Sequence, residues 1–308
     1  MYQKEQFQFL SSNNVNQVHA FVYRPEREIR ALVQLVHGMC EHLERYEPYI
    51  AYLTKQGFLV YGDNHLGHKY TASIEQDLGY FAPENGWQCL VEDEHTLNGI
   101  LKEKYPNLPV FLYGHSMGSF VARAYTAKYG TELTGVIFSG TAGSNKALGM
   151  GKAFTKFVKA CKGERHYSPT ITFLMFGSYN KKYKNPRTAY DWLTRDEEVV
   201  NAYLEDPYCG FMFTTSGYLD LINLLEYVTG DSWYQELPKT LPMFFIGGTM
   251  DPVGNWGAGY YEIDEKMAAL GCTDYSMKLY KDMRHELHNE IGKEQVWQDV
   301  TDWFNQHL

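Results

Sequence analysis

VFLYGHSMGSF, residues 110–120, is an apolar run that turns at Gly114-His115-Ser116-Met117-Gly118 into a helix-like stretch. The pattern G-x-S-x-G is common by chance. Between a strand and a helix it is a nucleophile elbow, a sharp turn that lifts a serine side chain above the carboxyl end of a sheet. Its two glycines let the backbone pack closely around the turn. The helix behind it offers free N–H groups to a negative charge developing beside the serine. In this setting Ser116 reads as a nucleophile rather than as a helix-capping serine.

The flanking sequence supplies the setting. Apolar runs at 17–25 (QVHAFVYRP), 31–38 (ALVQLVHG), 58–63 (FLVYGD), 109–115 (PVFLYGH) and 135–140 (GVIFSG) alternate with helix-like stretches at 43–57, 86–105 and 117–130. The later runs are nearly continuous in apolar residues, as in parallel strands buried on both faces. Such alternation builds βαβ units and an α/β fold with a mostly parallel sheet and helices on both faces. From about 143 to 230 the alternation stops. This segment is helical in tone, broken by Pro169, Pro186 and Pro207, and reads as an insertion between two parts of one sheet. Alternation resumes with LPMFFIGG (241–248), a helix near 258–270, SMKLY (276–280) and a last helix over about 286–307.

A serine nucleophile needs a base, and the base needs an orienting acid. On an elbow of this kind the partners follow in the order serine, acid, histidine. After Ser116 the histidines are His166, His285, His288 and His307. His166 falls in the insertion and His307 beside the C-terminus. His285 follows a predicted strand and precedes the last helix, where a base belongs. His288 is expected a turn inside that helix, as a surface or packing residue. Asp251 ends the strand-and-turn stretch LPMFFIGGTMD, whereas Asp274 precedes a strand and Asp282 is too near His285 to bridge from a neighbouring one. Asp251 is therefore the expected orienter. Two backbone donors are needed for an oxyanion. Met117 N–H is one, and Met39 N–H, in LVHGMCEH (35–42), is placed to be the other, although His37-Gly38 alone also suits a plain strand-ending turn.

Composition narrows the classes. A net charge of −9 argues against a general nucleic-acid binder. The five cysteines contain no C-x-x-C pair, so neither a zinc cluster nor a disulfide framework is indicated. His285-Glu286-Leu287-His288 is one residue short of H-E-x-x-H, and His65 and His68 lack a third ligand in sequence; no metal or cofactor is expected. The N-terminus lacks a signal-peptide pattern and no run approaches the ~20 apolar residues of a membrane span, so a cytoplasmic protein is expected.

Four stretches, HGMCEHLERY (37–46), GHSMGS (114–119), GGTMDPVG (247–254) and RHELHNE (284–290), resemble the α/β-hydrolase superfamily and, more narrowly, its monoacylglycerol lipase and lysophospholipase group. DWLTRDEEVV (191–200) and YLEDPYCGFMFT (203–214) are similar to that group's cap, so the resemblance covers nearly the whole chain. It implies an α/β-hydrolase core over 1–142 and 231–308, with a helical cap at 143–230 roofing an acyl-chain tunnel. It implies Ser116, Asp251 and His285 as catalytic residues, Met39 and Met117 as oxyanion donors, and a serine hydrolase of lipid carboxylic esters. Glu41 and His42 fall in the same motif, either at the polar end of the pocket or holding the loop. An esterase of small or aromatic acyl groups, a peptidase, and a non-catalytic binding protein are the alternatives on the same fold. The partner expected is a small ester with an acyl chain; contact with a membrane surface is compatible with the sequence, and the oligomeric state is not specified by it. One departure stands out: where the group has D-H-x-G-H-G, NHLGHK (64–69) puts Asn64 and Lys69, which bears on local loop geometry.

Overall fold

The computed structural model describes residues 2–72, 74 and 77–308. Eight strands form one sheet: β1 (Tyr2–Leu10), β2 (Gln17–Pro25), β3 (Ala31–Val36), β4 (Phe58–Asn64), β5 (Val110–His115), β6 (Gly135–Ser139), β7 (Met243–Gly248) and β8 (Tyr275–Tyr280). Their order is β1-β2-β4-β3-β5-β6-β7-β8. The β1–β2 and β2–β4 pairs are antiparallel, and every pairing from β4 to β8 is parallel. Strands β3 to β8 therefore finish at one edge, and the loops that leave them gather there, where ligands of open α/β sheets bind.

The pleat sends alternate residues of each strand to opposite faces. Leu32, Val110, Leu112, Val136 and Phe245 enter one core, and Val33, Phe111, Tyr113, Ile137 and Ile246 the other. The first core is covered by α2 (Gly86–Lys104), α3 (Met117–Tyr129) and α9 (Ala258–Ala269). The second is covered by α1 (Glu47–Lys55) and α10 (Lys293–Gln306), whose Val296, Trp297, Val300, Trp303 and Phe304 are all buried. Between β6 and β7 the chain makes a helical excursion: α4 (Leu148–Lys162), α5 (Pro169–Phe176), α6 (Glu197–Glu205), α7 (Thr215–Thr229) and α8 (Asp231–Glu236). The last of these packs on α3.

Two elements differ from the sequence reading. Strand β1 is absent from it, because YQKEQFQFL is polar at most positions and the strand lies at the sheet edge with one neighbour and mostly exposed residues. The last helix begins at Lys293, not near 286: Leu287–Asn289 form a separate 3-10 turn, and Gly292 at φ +90° breaks the chain before α10. His288 thus stands in that turn and outside the helix, and it is buried.

Candidate active site

Ser116 sits between β5 and α3 at φ 55°, ψ −123°, a conformation that L residues rarely hold. The turn is that tight because α3 starts directly against the end of β3: a Cβ on Gly118 would lie 2.1 Å from Val36 O. Ser116 N–H donates to Ser139 O at 2.9 Å, tying the elbow to β6. Burial differs sharply around it, since His115 and Met117 are buried and Ser116 is half-buried.

The loops after β7 and β8 are laced together. Met250 N–H donates to Met283 O at 2.9 Å, Thr249 N–H to Tyr280 O at 3.0 Å and Asp282 N–H to Thr249 Oγ1 at 2.8 Å. A Cβ on Gly248 would lie 2.1 Å from Met283 O, so only glycine lets these loops cross. This crossing places Asp251 and His285, both fully buried, side by side: His285 Nδ1 donates to Asp251 Oδ2 at 2.9 Å. The second carboxylate oxygen accepts from Val253 N–H at 2.8 Å. Burial works to lower the His285 pKa, but the charge and hydrogen bond of Asp251 outweigh it and raise the value. The ring lies against Gly140, next to Ser139, and its Nε2 has no hydrogen-bond partner among the described residues. Ser116 and His285 line the same cavity.

Met39 lies in a loop whose neighbouring donors are already engaged. Gly38 N–H donates to Glu41 Oε1 at 2.6 Å, and Cys40 N–H to His68 Nε2 at 3.2 Å. Met39 N–H and Met117 N–H make no hydrogen bond among the described residues, and both residues line the cavity. Behind the loop, His37 Nδ1 donates to Gly38 O at 2.8 Å while its Nε2 accepts from His65 N–H at 3.1 Å. His37, Asp63 and His65 lie within metal-ligand reach of one another, as do His42, Asp206 and Cys209. The first group's rings are committed to these backbone bonds, and His65 Nδ1 is paired with Asp63 at 2.8 Å.

Glu41 faces the cavity wall, but its carboxylate is taken up by Gly38 N–H, Tyr46 O–H and Arg45. His42 lies outside the wall that the described residues form, with Nε2 at 2.8 Å from Asp206 and Nδ1 at 3.1 Å from Glu44. The unusual Asn64 and Lys69 act in the same place. Asn64 Oδ1 accepts from Leu43 N–H at 2.9 Å, and Asn64 Nδ2 and Lys69 Nζ both reach Glu44, at 3.3 and 2.8 Å. The departure from the group's motif is thus a local set of bonds around the Leu43–Tyr46 turn.

The sequence reading assigned nothing to Arg45. Its side chain, 10% exposed, lies between Glu41 and Glu286, with Nη1 and Nη2 at 2.9 and 2.8 Å from the Glu286 oxygens. It thereby joins the Met39 loop to the residue after His285. Burial works to raise the Glu286 pKa, and Arg45 holds it well below the usual carboxylate range. Removing one member of a buried charge group leaves the others unpaired. Arg45→Met is expected to lose about 3–5 kcal/mol of stability, read as a fall in the urea midpoint at unchanged m; an unchanged midpoint would show the network to be idle. His288 packs on this group, its ring stacked on Tyr46 at 4.2 Å, and burial pushes its pKa down to about 3.

The cavity measures about 1190 Å³ and is mostly apolar. Its walls include Met150 and Phe154 of α4, Phe173 and Phe176 of α5, Leu221 and Leu225 of α7, and Trp192. Ser116, Met39 and His285 line it at the sheet edge, and polar residues of the inserted segment, among them Ser144, Asn145, Asn180 and Lys181, line it as well.

The chain is similar to known proteins over most of its length. Residues 27–292 match the family model described as serine aminopeptidase, S33. The monoacylglycerol lipase of Mycolicibacterium smegmatis is 30% identical over 297 residues, covering 93% of this chain and 92% of that one. The human monoglyceride lipase is 25% identical over 289 residues, covering 92% and 85%. Among solved structures, a thermostable carboxyl esterase from Bacillus coagulans, in complex with glycerol, superposes with a TM-score of 0.92 at 31% identity, over 98% of both chains.

Proposed function

The chain belongs to the serine aminopeptidase S33 family of α/β-hydrolases and is a carboxylic ester hydrolase, and from that premise we propose that it cleaves monoacylglycerol-type lipid esters through an acyl-enzyme on Ser116. Ser116 Oγ attacks the ester carbonyl while His285 Nε2 takes its proton. Asp251 keeps the Nδ1 proton in place, which leaves Nε2 free as the base. The tetrahedral oxyanion accepts from Met39 N–H and Met117 N–H, the two donors left free beside the serine. His285 returns its proton to the departing alcohol. Water, activated by the same nitrogen, then releases the acid.

The helices between β6 and β7, together with the loops that join them, act in this reading as a cap over the site, with the excursion at 143–230 forming the acyl-binding roof. Glu41 and His42 hold the Met39 loop rather than the substrate. The observation that carries the substrate reading is the size and lining of the cavity. A chamber of about 1190 Å³ walled by phenylalanine, methionine and leucine rewards a long acyl chain, at roughly 0.8 kcal/mol for each methylene it buries. The relatives named monoacylglycerol and monoglyceride lipase support the same substrate class.

A chain-length series tests it. With monoacylglycerols from short to long acyl chains, kcat/KM is expected to climb by about threefold to fourfold per methylene until the cavity is filled. A maximum at acetyl or aromatic acyl groups, or faster cleavage of aminoacyl amides than of esters, would overturn the lipid reading and leave the hydrolase.

A further inference from the structure

The loop that carries Met39 meets the inserted helices along a seam. Gly210 N–H and Tyr203 O–H both donate to Cys40 O at 3.0 Å, and the Cys40 thiol donates to Phe211 O at 2.8 Å. Beside this seam His42, Asp206 and Cys209 each offer a ligand atom within 4.8 Å of the others. His42 Nε2 is 2.8 Å from Asp206 Oδ2, across 164 residues of sequence, so no spacing motif shows the group. Tetrahedral zinc holds N, O and S ligands about 2.0–2.3 Å away, which sets them roughly 3.3–3.8 Å apart. The group lies at most about 1 Å outside that closed geometry.

The surroundings suit an ion better than a plain ion pair. A histidine–aspartate pair has no use for a thiol, whereas imidazole, carboxylate and thiolate together are a zinc donor set. The carboxylate is aimed in advance: Asp206 Oδ1 accepts from Tyr208 N–H at 2.8 Å, which leaves Oδ2 toward His42. Cys209 N–H donates to Asp206 O at 3.0 Å, closing a tight turn that carries both ligands. A metal-binding histidine donates its other ring N–H to a carboxylate. Here His42 Nδ1 is 3.1 Å from Glu44 Oε2, and the other oxygen of Glu44 is held by Lys69 at 2.8 Å. The Asp206 side chain is 29% exposed and that of His42 is 5%, so the group opens to solvent on the Asp206 side, as an entry path requires.

We propose that His42 Nε2, Asp206 Oδ2 and Cys209 Sγ bind a zinc ion, with water as the fourth ligand, and that the ion clasps the Met39 loop to the segment between α6 and α7. Cys209 gives its thiol proton to solvent as the zinc–sulfur bond forms. The ring proton of His42 moves from Nε2 to Nδ1 through solvent, so one proton leaves for each ion bound and nothing is oxidised or reduced. Burial pushes the Cys209 thiol up, and a coordinated thiol is deprotonated nonetheless. None of the three ligands belongs to the cavity wall that the described residues form, so the site stands apart from Ser116 and from the lipid-ester reading.

Equilibrium dialysis of the full chain, stripped with EDTA and then set against Zn²⁺, tests this. One ion per chain is expected. Co²⁺ in its place should give a thiolate-to-metal charge-transfer band in the near ultraviolet, which Cys209→Ser abolishes. Glu44→Gln should weaken zinc binding by about tenfold to a hundredfold. Asp206→Asn changes a partly exposed ligand and should weaken it as well. Cys161→Ser removes the exposed thiol and should alter neither the band nor the affinity. Zinc should raise the urea midpoint of the parent and of Cys161→Ser, but not that of Cys209→Ser. No bound ion, a cobalt band that persists in Cys209→Ser, zinc binding that survives both Cys209→Ser and Asp206→Asn, or binding that disappears with Cys161→Ser would each overturn the proposal. Failure of the chain-length series leaves this result untouched.

Discussion

Ser116→Ala is expected to lower kcat for ester cleavage by about 10⁶-fold, to the level that bound water and the remaining oxyanion donors sustain. The size follows from how the site is built. The serine is held on a strained turn, at φ 55°, beside a cavity wall where Met39 N–H and Met117 N–H make no hydrogen bond among the described residues. Alanine keeps that turn and those donors but has no atom that can form the acyl bond. His285→Ala should cost a similar factor, and the double variant little more, because nucleophile and base act as a unit. His288→Ala is the contrast: its ring stacks on Tyr46 and its nitrogens are buried away from any partner among the described residues, so stability falls while ester cleavage persists. A p-nitrophenyl ester assay with a fluorophosphonate label reads all four variants. Activity surviving Ser116→Ala, or a label retained on it, would remove Ser116 from the mechanism.

What could be read from sequence was whatever local chemistry dictates. The elbow is legible because strand, Gly114-x-Ser116-x-Gly118 and helix are contiguous, and the second glycine has a steric reason that shows in the folded chain, the 2.1 Å approach to Val36 O. Asp251 is legible in position because it follows an apolar strand through a short turn, three residues past the end of β7, where it meets His285. Arg45 was not, because its partners lie 4 and 241 residues away and nothing near it in sequence signals the second. The same holds for Asn64 and Lys69, which depart from the motif and yet converge on Glu44. Strand β1 alternates only over Gln6–Phe9, too short a signal to mark a strand, and is held by pairing with β2 along its whole length. His288 reads as helical in sequence because nothing there separates the short 3-10 turn at 287–289 from α10, which starts only after the left-handed Gly292. The pattern is general to buried charge networks: their members are recruited by the fold from distant segments, so spacing says nothing of them.

Asp251→Asn is expected to lower kcat/KM by about 10⁴-fold, close to 5 kcal/mol of transition-state stabilisation, with the fold intact. The carboxylate accepts from His285 Nδ1, which in the neutral ring leaves Nε2 unprotonated, and Nε2 has no hydrogen-bond partner among the described residues. An asparagine amide can present N–H to Nδ1 instead, and the ring then carries its proton on Nε2, where it cannot act as base. The pH profile should move as well. In the parent, Asp251 overcomes the burial that would lower the His285 pKa, so the acid limb of kcat/KM lies above the ordinary imidazole value near ~6.5. Without the charge, burial is left as the larger influence, and the limb of any residual activity shifts to lower pH. Stability has the opposite dependence. A histidine whose folded pKa is raised stabilises most below its unfolded value, and that contribution is lost as pH rises through the folded one. The ion pair is therefore strongest in the protonated, inactive form, and the working enzyme operates at a pH where part of it has been given up. Comparing the two proteins by kcat/KM against pH, and by urea midpoint against pH, should show the parent alone gaining stability toward acid through this pair. An acid limb that does not move in Asp251→Asn, or a loss smaller than about tenfold, would mean that Asp251 neither orients nor charges His285.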